Sequence, residues 1–299
     1  MLPARVFSIL IPTWNNLPML RLCVESLRRN STYPHQIIVH VNDGSDGTLD
    51  YVKAQGLDYT HSPTNIGVCL AMNMMRTKVS TDYIVFFNDD MYALPHWDDV
   101  LYDEILALPD KRFYLAGVAI QRGDHVHSPH IEAFYGDDVT TFRERDLLNE
   151  YMQYEMSDRI GAIAPPTVVH RDVWDMAGGY SVEFSPGLAS DPDFTAKLWL
   201  VGVRYMKMLG ASRCYHFRHK TVGRTPCNDG SLQFLLKWGL TGRTFRMMTH
   251  NAAPFDADIC GTQWSTKEVR RHVMRSRLKA VWWAMTRRIG PIGQFFSAS

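Results

Sequence analysis

The sequence predicts an α/β fold built on a mostly parallel sheet flanked by helices, and three observations carry that expectation. Short apolar runs alternate with amphipathic helical patterns from Arg5 to about residue 128, as in successive βαβ units. Each of the main runs breaks into a polar turn. One such turn, Asn88-Asp89-Asp90, follows Tyr83-Ile84-Val85-Phe86-Phe87 and puts two carboxylates at the C-terminal end of a buried strand, where open α/β sheets bind ligands.

In chain order, Val6 to Ile11 reads as the first strand, and Pro12-Thr13-Trp14-Asn15-Asn16 as a turn that supplies an Asn N-cap. Leu17, Leu20, Val24 and Leu27 then recur at helical spacing. Gln36 to Val41 is a second strand, broken by the polar turn Asn42-Asp43-Gly44-Ser45-Asp46-Gly47, and Leu49 and Val52 mark a short helix. Tyr59 to His61 forms a short strand, Asn65-Ile66-Gly67 opens a helix running to Met75, and Tyr83 to Phe87 is the strand that ends in the acids. The second half is less regular. Phe113 to Ile120 and Gly161 to His170 read as strands, Ala196 to Val201 as a helix, and the polar stretch from Gln121 to Arg159 as a solvated loop. His125, His127 and His130 in that loop lack the partner spacing of a metal site and are given no catalytic role.

A chain of 299 residues that is 45% hydrophobic is an ordinary globular protein, and a net charge of +1 argues against a nucleic-acid binder held by overall electrostatics. The five cysteines are widely spaced and contain no C-x-x-C pair, which fits a reducing compartment. Val6 to Ile11 is too short for a signal-peptide core, and no apolar run approaches a membrane span, so the expected location is cytoplasmic.

Three polar turns, at 12–16, 42–47 and 88–90, follow strands, and a parallel sheet would bring them to one edge. Hard divalent cations such as Mn²⁺ or Mg²⁺ take oxygen ligands at such a place. Transfer chemistry there would need an acid for a nucleobase, a metal clamp for a diphosphate and a carboxylate to accept a proton from an attacking hydroxyl. Asp43, Asp90 and Asp191 are the candidates. Asp89 and Asp90 equally suit a turn cap, Asp43 a turn, and Asp191 an N-cap before Pro192, and the residues alone leave these readings open.

Six segments in order, Ser-Ile-Leu-Ile-Pro-Thr-Trp-Asn-Asn (8–16), Val-Asn-Asp-Gly-Ser-Asp-Gly-Thr (41–48), Asn-Ile-Gly (65–67), Phe-Phe-Asn-Asp-Asp (86–90), Gly-Gly-Tyr (178–180) and Ser-Asp-Pro-Asp-Phe (190–194), resemble the motifs of family 2 glycosyltransferases of GT-A fold. The resemblance implies inverting sugar transfer from a nucleotide-diphosphate donor, a UDP-sugar by preference, to a glycan or lipid-linked glycan in polysaccharide biosynthesis. It implies a catalytic domain over residues 1–225, with a donor half to about 120 and an irregular acceptor half over 121–225, followed by a C-terminal helical extension over 226–299.

The same resemblance implies residue roles. Asp43 would accept from the nucleobase, with Pro12, Thr13 and Asn15 lining that pocket and Asn65 and Gly67 on the donor side. Asn88-Asp89-Asp90 stands where the family carries D-x-D, so Asp90 would ligate the metal, Asp89 would lie near the ribose or sugar, and Asn88 removes one carboxylate from the motif. Asp191 matches the family's general base, with Ser190 in place of the preceding Glu. His216 lies where many members complete the metal shell, with His219 the other candidate, and Lys220 and Arg224 follow where they could neutralise the leaving diphosphate. The run Phe234 to Gly239 also resembles a family segment, without an assignable chemical role.

Between Lys267 and Arg288 eight basic residues face one acid, and they are interleaved with Val273, Met274, Leu278, Val281, Trp282, Trp283 and Met285, with Ile289, Ile292, Phe295 and Phe296 beyond. Two readings are open for this tail. It is either an interfacial helix at the inner face of an anionic membrane or a helix packed on the catalytic domain with its arginines in solvent. Two other functional classes compete with glycosyl transfer. A sugar-phosphate nucleotidyltransferase calls for a glycine-rich basic loop after the first strand, which residues 12–16 lack, and a non-catalytic sugar-binding module has no need of Asp191.

Overall fold

The computed structural model describes residues 5–123, 129–162, 164–218 and 228–286. The strands are β1 Phe7–Trp14, β2 Gln36–Asn42, β3 Asp58–Ser62, β4 Tyr83–Phe86, β5 Met91–Ala93, β6 Phe113–Gln121, β7 Ile131–Glu132, β8 Arg159–Ile160, β9 Thr167–His170 and β10 Tyr205–His216. The helices are α1 Leu17–Asn30, α2 Thr48–Ala54, α3 Gly67–Arg76, α4 Trp97–Ala107, α5 Glu144–Glu150, α6 Arg171–Ala177, α7 Ser190–Leu200, α8 Gly230–Trp238, α9 Gly242–Met248 and α10 Lys267–Thr286.

One sheet organises the chain, in the order β3-β2-β1-β4-β9-β6-β10-β5, with β7 on β6 and β8 on β10. β1, β2, β3 and β4 run parallel to one another, and β6 is parallel to β10. β9 is inserted antiparallel between β4 and β6. Because successive strand side chains point to opposite faces, the apolar runs feed two cores. On β1, Leu10 enters one core while Phe7, Ile9 and Ile11 enter the other; on β4, Ile84 and Phe86 face the first and Val85 faces the second. Helices α1, α2 and α4 close the second core, and α3, α6, α7 and α8 the first.

Four expectations change. The strand expected over 161–170 is confined to β9, Thr167–His170, because Pro165 and Pro166 just before it have no N–H to give to a ladder. The helix expected from Ala196 begins at Ser190, since the N–H that Pro192 lacks would have no intrahelical acceptor in a first turn. The stretch from 121 to 159 is not simply a solvated loop. Its described part contains α5 and buries Tyr135, Leu147 and Tyr151, while His125 and His127 lie outside the described residues. Finally, Asn16 does not cap α1 with its side chain. The first-turn N–H of Leu17 is taken instead by Asp46 Oδ2 at 2.9 Å, from the turn after β2.

Gly67 explains why the Asn-Ile-Gly segment has its form. Its φ is +78°, and a Cβ there would stand 2.7 Å from Pro186 Cα, in the loop that leads to α7. Asn65 Oδ1 accepts the Gly67 N–H at 2.9 Å, and the next amide, Val68 N, donates to Pro186 O at 2.9 Å. Gly67→Ala combines a strained φ with a backbone clash and is expected to cost roughly 1–3 kcal/mol, read as a lower midpoint in urea with an unchanged slope.

Candidate active site

The parallel strands deliver the three polar turns to one edge, and side chains then join them. Asn15, at φ +44°, donates Nδ2–H to Asp43 Oδ2 at 2.9 Å and accepts the Gly44 N–H on Oδ1 at 3.0 Å. Asp43 is half-buried at the sheet edge, and the hydrogen bonds from Asn15 and then Ser45 hold its carboxyl below the usual range, so it is an ionised acceptor. Beneath it, Asn42 ties its Nδ2–H to Thr13 O at 3.2 Å and accepts Ile66 N–H on Oδ1 at 2.8 Å. Asn42 thus connects the first three motifs.

Asp89 is buried. Its Oδ2 accepts the Thr13 hydroxyl at 2.6 Å and the Asn16 amide at 3.2 Å, so β1 orients the acid that follows β4. Asp90, also buried, presents Oδ1 at 3.3 Å from His216 Nε2, while His216 Nδ1 lies 2.9 Å from Gln121 Oε1. With Gln121 Oε1 as the acceptor, Nδ1–H is the donor, and Nε2 faces the Asp90 carboxylate. A carboxylate oxygen and an imidazole nitrogen suit Mn²⁺ or Mg²⁺-like sites to different degrees, imidazole favouring Mn²⁺. The residues therefore fit a divalent metal. Among the described residues no three His, Cys, Asp or Glu side chains converge as a ligand set, so further ligands would have to come from elsewhere, such as a bound diphosphate. His219, Lys220 and Arg224 lie outside the described residues.

Asp191 sits in the first turn of α7 rather than at its cap, which is Ala189. Burial raises its carboxyl to about 7, opposed in part by the Tyr180 hydroxyl, which donates to Oδ1 at 3.3 Å. The residue keeps some accessible surface although its carboxyl is enclosed. Its neighbours are aromatic. Tyr180 stacks on Phe194 at 4.7 Å between ring centroids and meets Phe86 of β4 edge-on at 6.0 Å, which ties the loop ahead of α7 to the strand of the acids. Asn73 of α3 fixes Tyr180 by accepting its N–H at 2.9 Å and donating to its carbonyl at 2.8 Å.

Residues that sequence reading left without a role complete this side. Asp193 is fully buried, two residues after Asp191, and its Oδ1 accepts Trp238 Nε1–H and pairs with Lys237 Nζ, each at 2.9 Å. Lys237 also reaches Glu183 Oε1 and the Ser181 hydroxyl at 2.9 Å. The Lys-Trp pair of the 234–239 run is thus a clamp on α7 and on the loop before it. Asn16 and Gln121 were likewise unassigned, and only the polar motif around Asn16 offered any signal.

Asp43, the Asp90–His216 pair and Asp191 are thus carried by a mostly parallel α/β sheet and the helices packed on it. Residues 8–171 match Glycosyl transferase family 2, and the chain belongs to that family. No curated protein matches it. Among solved structures, S. aureus TarS 1-349 in complex with UDP superposes with a TM-score of 0.56 at 11% identity, covering 97% of this chain and 77% of that one. The complex of the same fragment with UDP-GlcNAc gives 0.56 at 12% identity, over 95% and 74%. Against the longer S. aureus TarS structure the score is 0.54 at 10% identity, and the chain spans 44% of that protein's length. At these identities the likeness is one of fold.

The geometry of the acid and of the Asp90–His216 pair leads to measurable expectations. A base that ionises near 7 makes kcat/KM rise with pH through about 7. Asp191→Asn is expected to lose transfer by at least about 100-fold. It should also gain stability, because a carboxyl raised above its unfolded value costs folding free energy that grows as pH climbs from about 4 and levels off above about 7. The gain in Tm for Asp191→Asn should be larger at pH 8 than at pH 5, and equal gains at both would contradict a buried acid. For the metal, Mn²⁺ titrated calorimetrically should bind weakly alone and at least about tenfold more tightly with UDP present, and His216→Ala or Asp90→Ala should abolish that enhancement.

Proposed function

We propose that this chain is an inverting, metal-dependent transferase that moves a sugar from a UDP-sugar to a hydroxyl of a glycan or lipid-linked glycan during polysaccharide assembly. The observation that carries this reading is Asp191, an acid raised by burial to about 7 and hydrogen-bonded by Tyr180, whose ring packs on Phe86 of β4. A carboxylate of that basicity accepts a proton from the acceptor hydroxyl as the oxygen attacks the anomeric carbon opposite the leaving nucleotide, and one inversion results. Asp43, ionised and half-buried, is suited to accept the imide N–H of uracil, with Asn15 holding it and Pro12 and Thr13 at the end of β1. The complexes of TarS with UDP and UDP-GlcNAc support a uridine donor by likeness of fold.

When bound, a divalent metal at Asp90 and His216 would supply positive charge to the departing diphosphate. Asp89, locked by Thr13 and Asn16, would orient the ribose or donor sugar, and Asn88 lies half-buried beside it. Lys220 and Arg224 are assigned to the diphosphate on the strength of the family resemblance. Such an enzyme draws its donor from the cytoplasm, and a lipid-linked acceptor requires access to the inner membrane face.

Incubation with Mn²⁺ and a panel of nucleotide sugars should release nucleoside diphosphate from a uridine donor, with the product sugar inverted at its anomeric carbon by NMR. Asp90→Ala should weaken donor binding, and Asp191→Ala should leave binding intact while transfer is lost. Full transfer by Asp191→Ala would remove the proposed base, and a retained anomeric configuration would remove the mechanism.

A further inference from the structure

Helix α10 has its apolar stripe on the wrong side for a helix that only packs on its own protein. Val269 and Ser276 are buried, and the Ser276 hydroxyl lies 3.0 Å from the Thr244 hydroxyl of α9, so this face is the docked one. Met274, Leu278, Val281 and Met285, spaced four, three and four residues apart, fall on the opposite face, with Trp282 beside them. All five are between 53% and 72% exposed. A surface helix normally turns its polar residues outward, and here the outward centre is apolar.

Arg270 and Arg277 flank one side of that stripe and Arg271 and Arg275 the other, and the helix as a whole carries six Lys or Arg against one Glu. Beside it runs a groove of about 510 Å³, lined among others by Trp264, Val273, Met274, Leu278 and Val281, which widens the apolar surface. Among the described residues no helix is long and apolar enough to cross a membrane, so α10 is suited to lie on a surface.

We propose that the outward face of α10 docks on an anionic phospholipid surface, with the apolar stripe entering the acyl boundary and the arginines reaching lipid phosphates. The charge selects this occupant. A second copy placed stripe to stripe would bring two strongly basic helices together, whereas anionic headgroups neutralise the arginines, whose stems can snorkel around the stripe. The position is also consistent with use. α10 packs on α8 and α9, and α8 carries the Lys237-Trp238 clamp on Asp193, two residues from Asp191, so the docked surface connects to the acceptor half through one helix. The inference is independent of the proposed reaction, because membrane docking needs no sugar or metal.

The test is sedimentation of the full chain with vesicles of phosphatidylglycerol and phosphatidylcholine, compared with phosphatidylcholine alone. Binding should require the anionic lipid and weaken with salt. Leu278→Gln with Val281→Gln should reduce it roughly tenfold or more through the stripe, and Arg271→Glu with Arg275→Glu should do the same through charge. UDP release from a soluble donor should be unchanged in both variants, and circular dichroism should report the same fold. Equal binding to both vesicle types, binding unaffected by either pair, or a concentration-dependent dimer without vesicle binding would overturn the proposal.

Discussion

Everything at the candidate site depends on β1 being hydrogen-bonded in parallel to β2 on one side and to β4 on the other. Strands buried on both faces leave their ends as the places where polar groups can reach water, and parallel strands have their C-terminal ends on one edge. The turns after β1, β2 and β4 therefore meet without any long-range recognition beyond the sheet itself. Once they meet, they hold one another. Thr13 and Asn16 fix Asp89, Asn15 fixes Asp43, and Asn42 reaches both Thr13 and Ile66. The acids are preorganised by neighbours on other strands, which spares a ligand the cost of ordering them.

The same residue type is tuned in opposite directions within this framework. Asp43 is half-buried and accepts hydrogen bonds from Asn15 and Ser45, which favour its charge, whereas Asp191 has one long hydrogen bond, from Tyr180, and burial disfavours its charge. An ionised acceptor and a proton acceptor poised near neutrality are different tools, and here environment alone separates them. The enclosure around Asp191 is costly to folding and is supported from several directions. Asn73 holds Tyr180, Gly67 admits Pro186 at close range, and Lys237 and Trp238 anchor α7 through Asp193.

Legibility in the sequence followed the range of the interaction. The alternation of apolar runs and polar turns is local, and β1, β2, β4, β6 and the helices after the first two turns could be read from it. Boundaries were missed where proline decided them, at Pro165-Pro166 between β8 and β9 and at Pro192 within the first turn of α7. The partners of the acids were illegible for a different reason. Asn16 lies 73 residues from Asp89, Gln121 lies 95 from His216, and Trp238 lies 45 from Asp193, and nothing in a linear pattern encodes such pairings.

By itself the sequence determined the α/β class, the edge at which the polar turns gather, the identity of the candidate acids and the mixed basic and apolar character of the last helix, because periodicity and motif order depend only on near neighbours. The tertiary structure alone decided which oxygen faces which nitrogen between Asp90 and His216, how deeply Asp191 is enclosed, and that the apolar stripe of α10 points away from the protein. Proton affinity and exposure are set by whatever distant segments pack around a group, and those segments are brought together only by the folded chain.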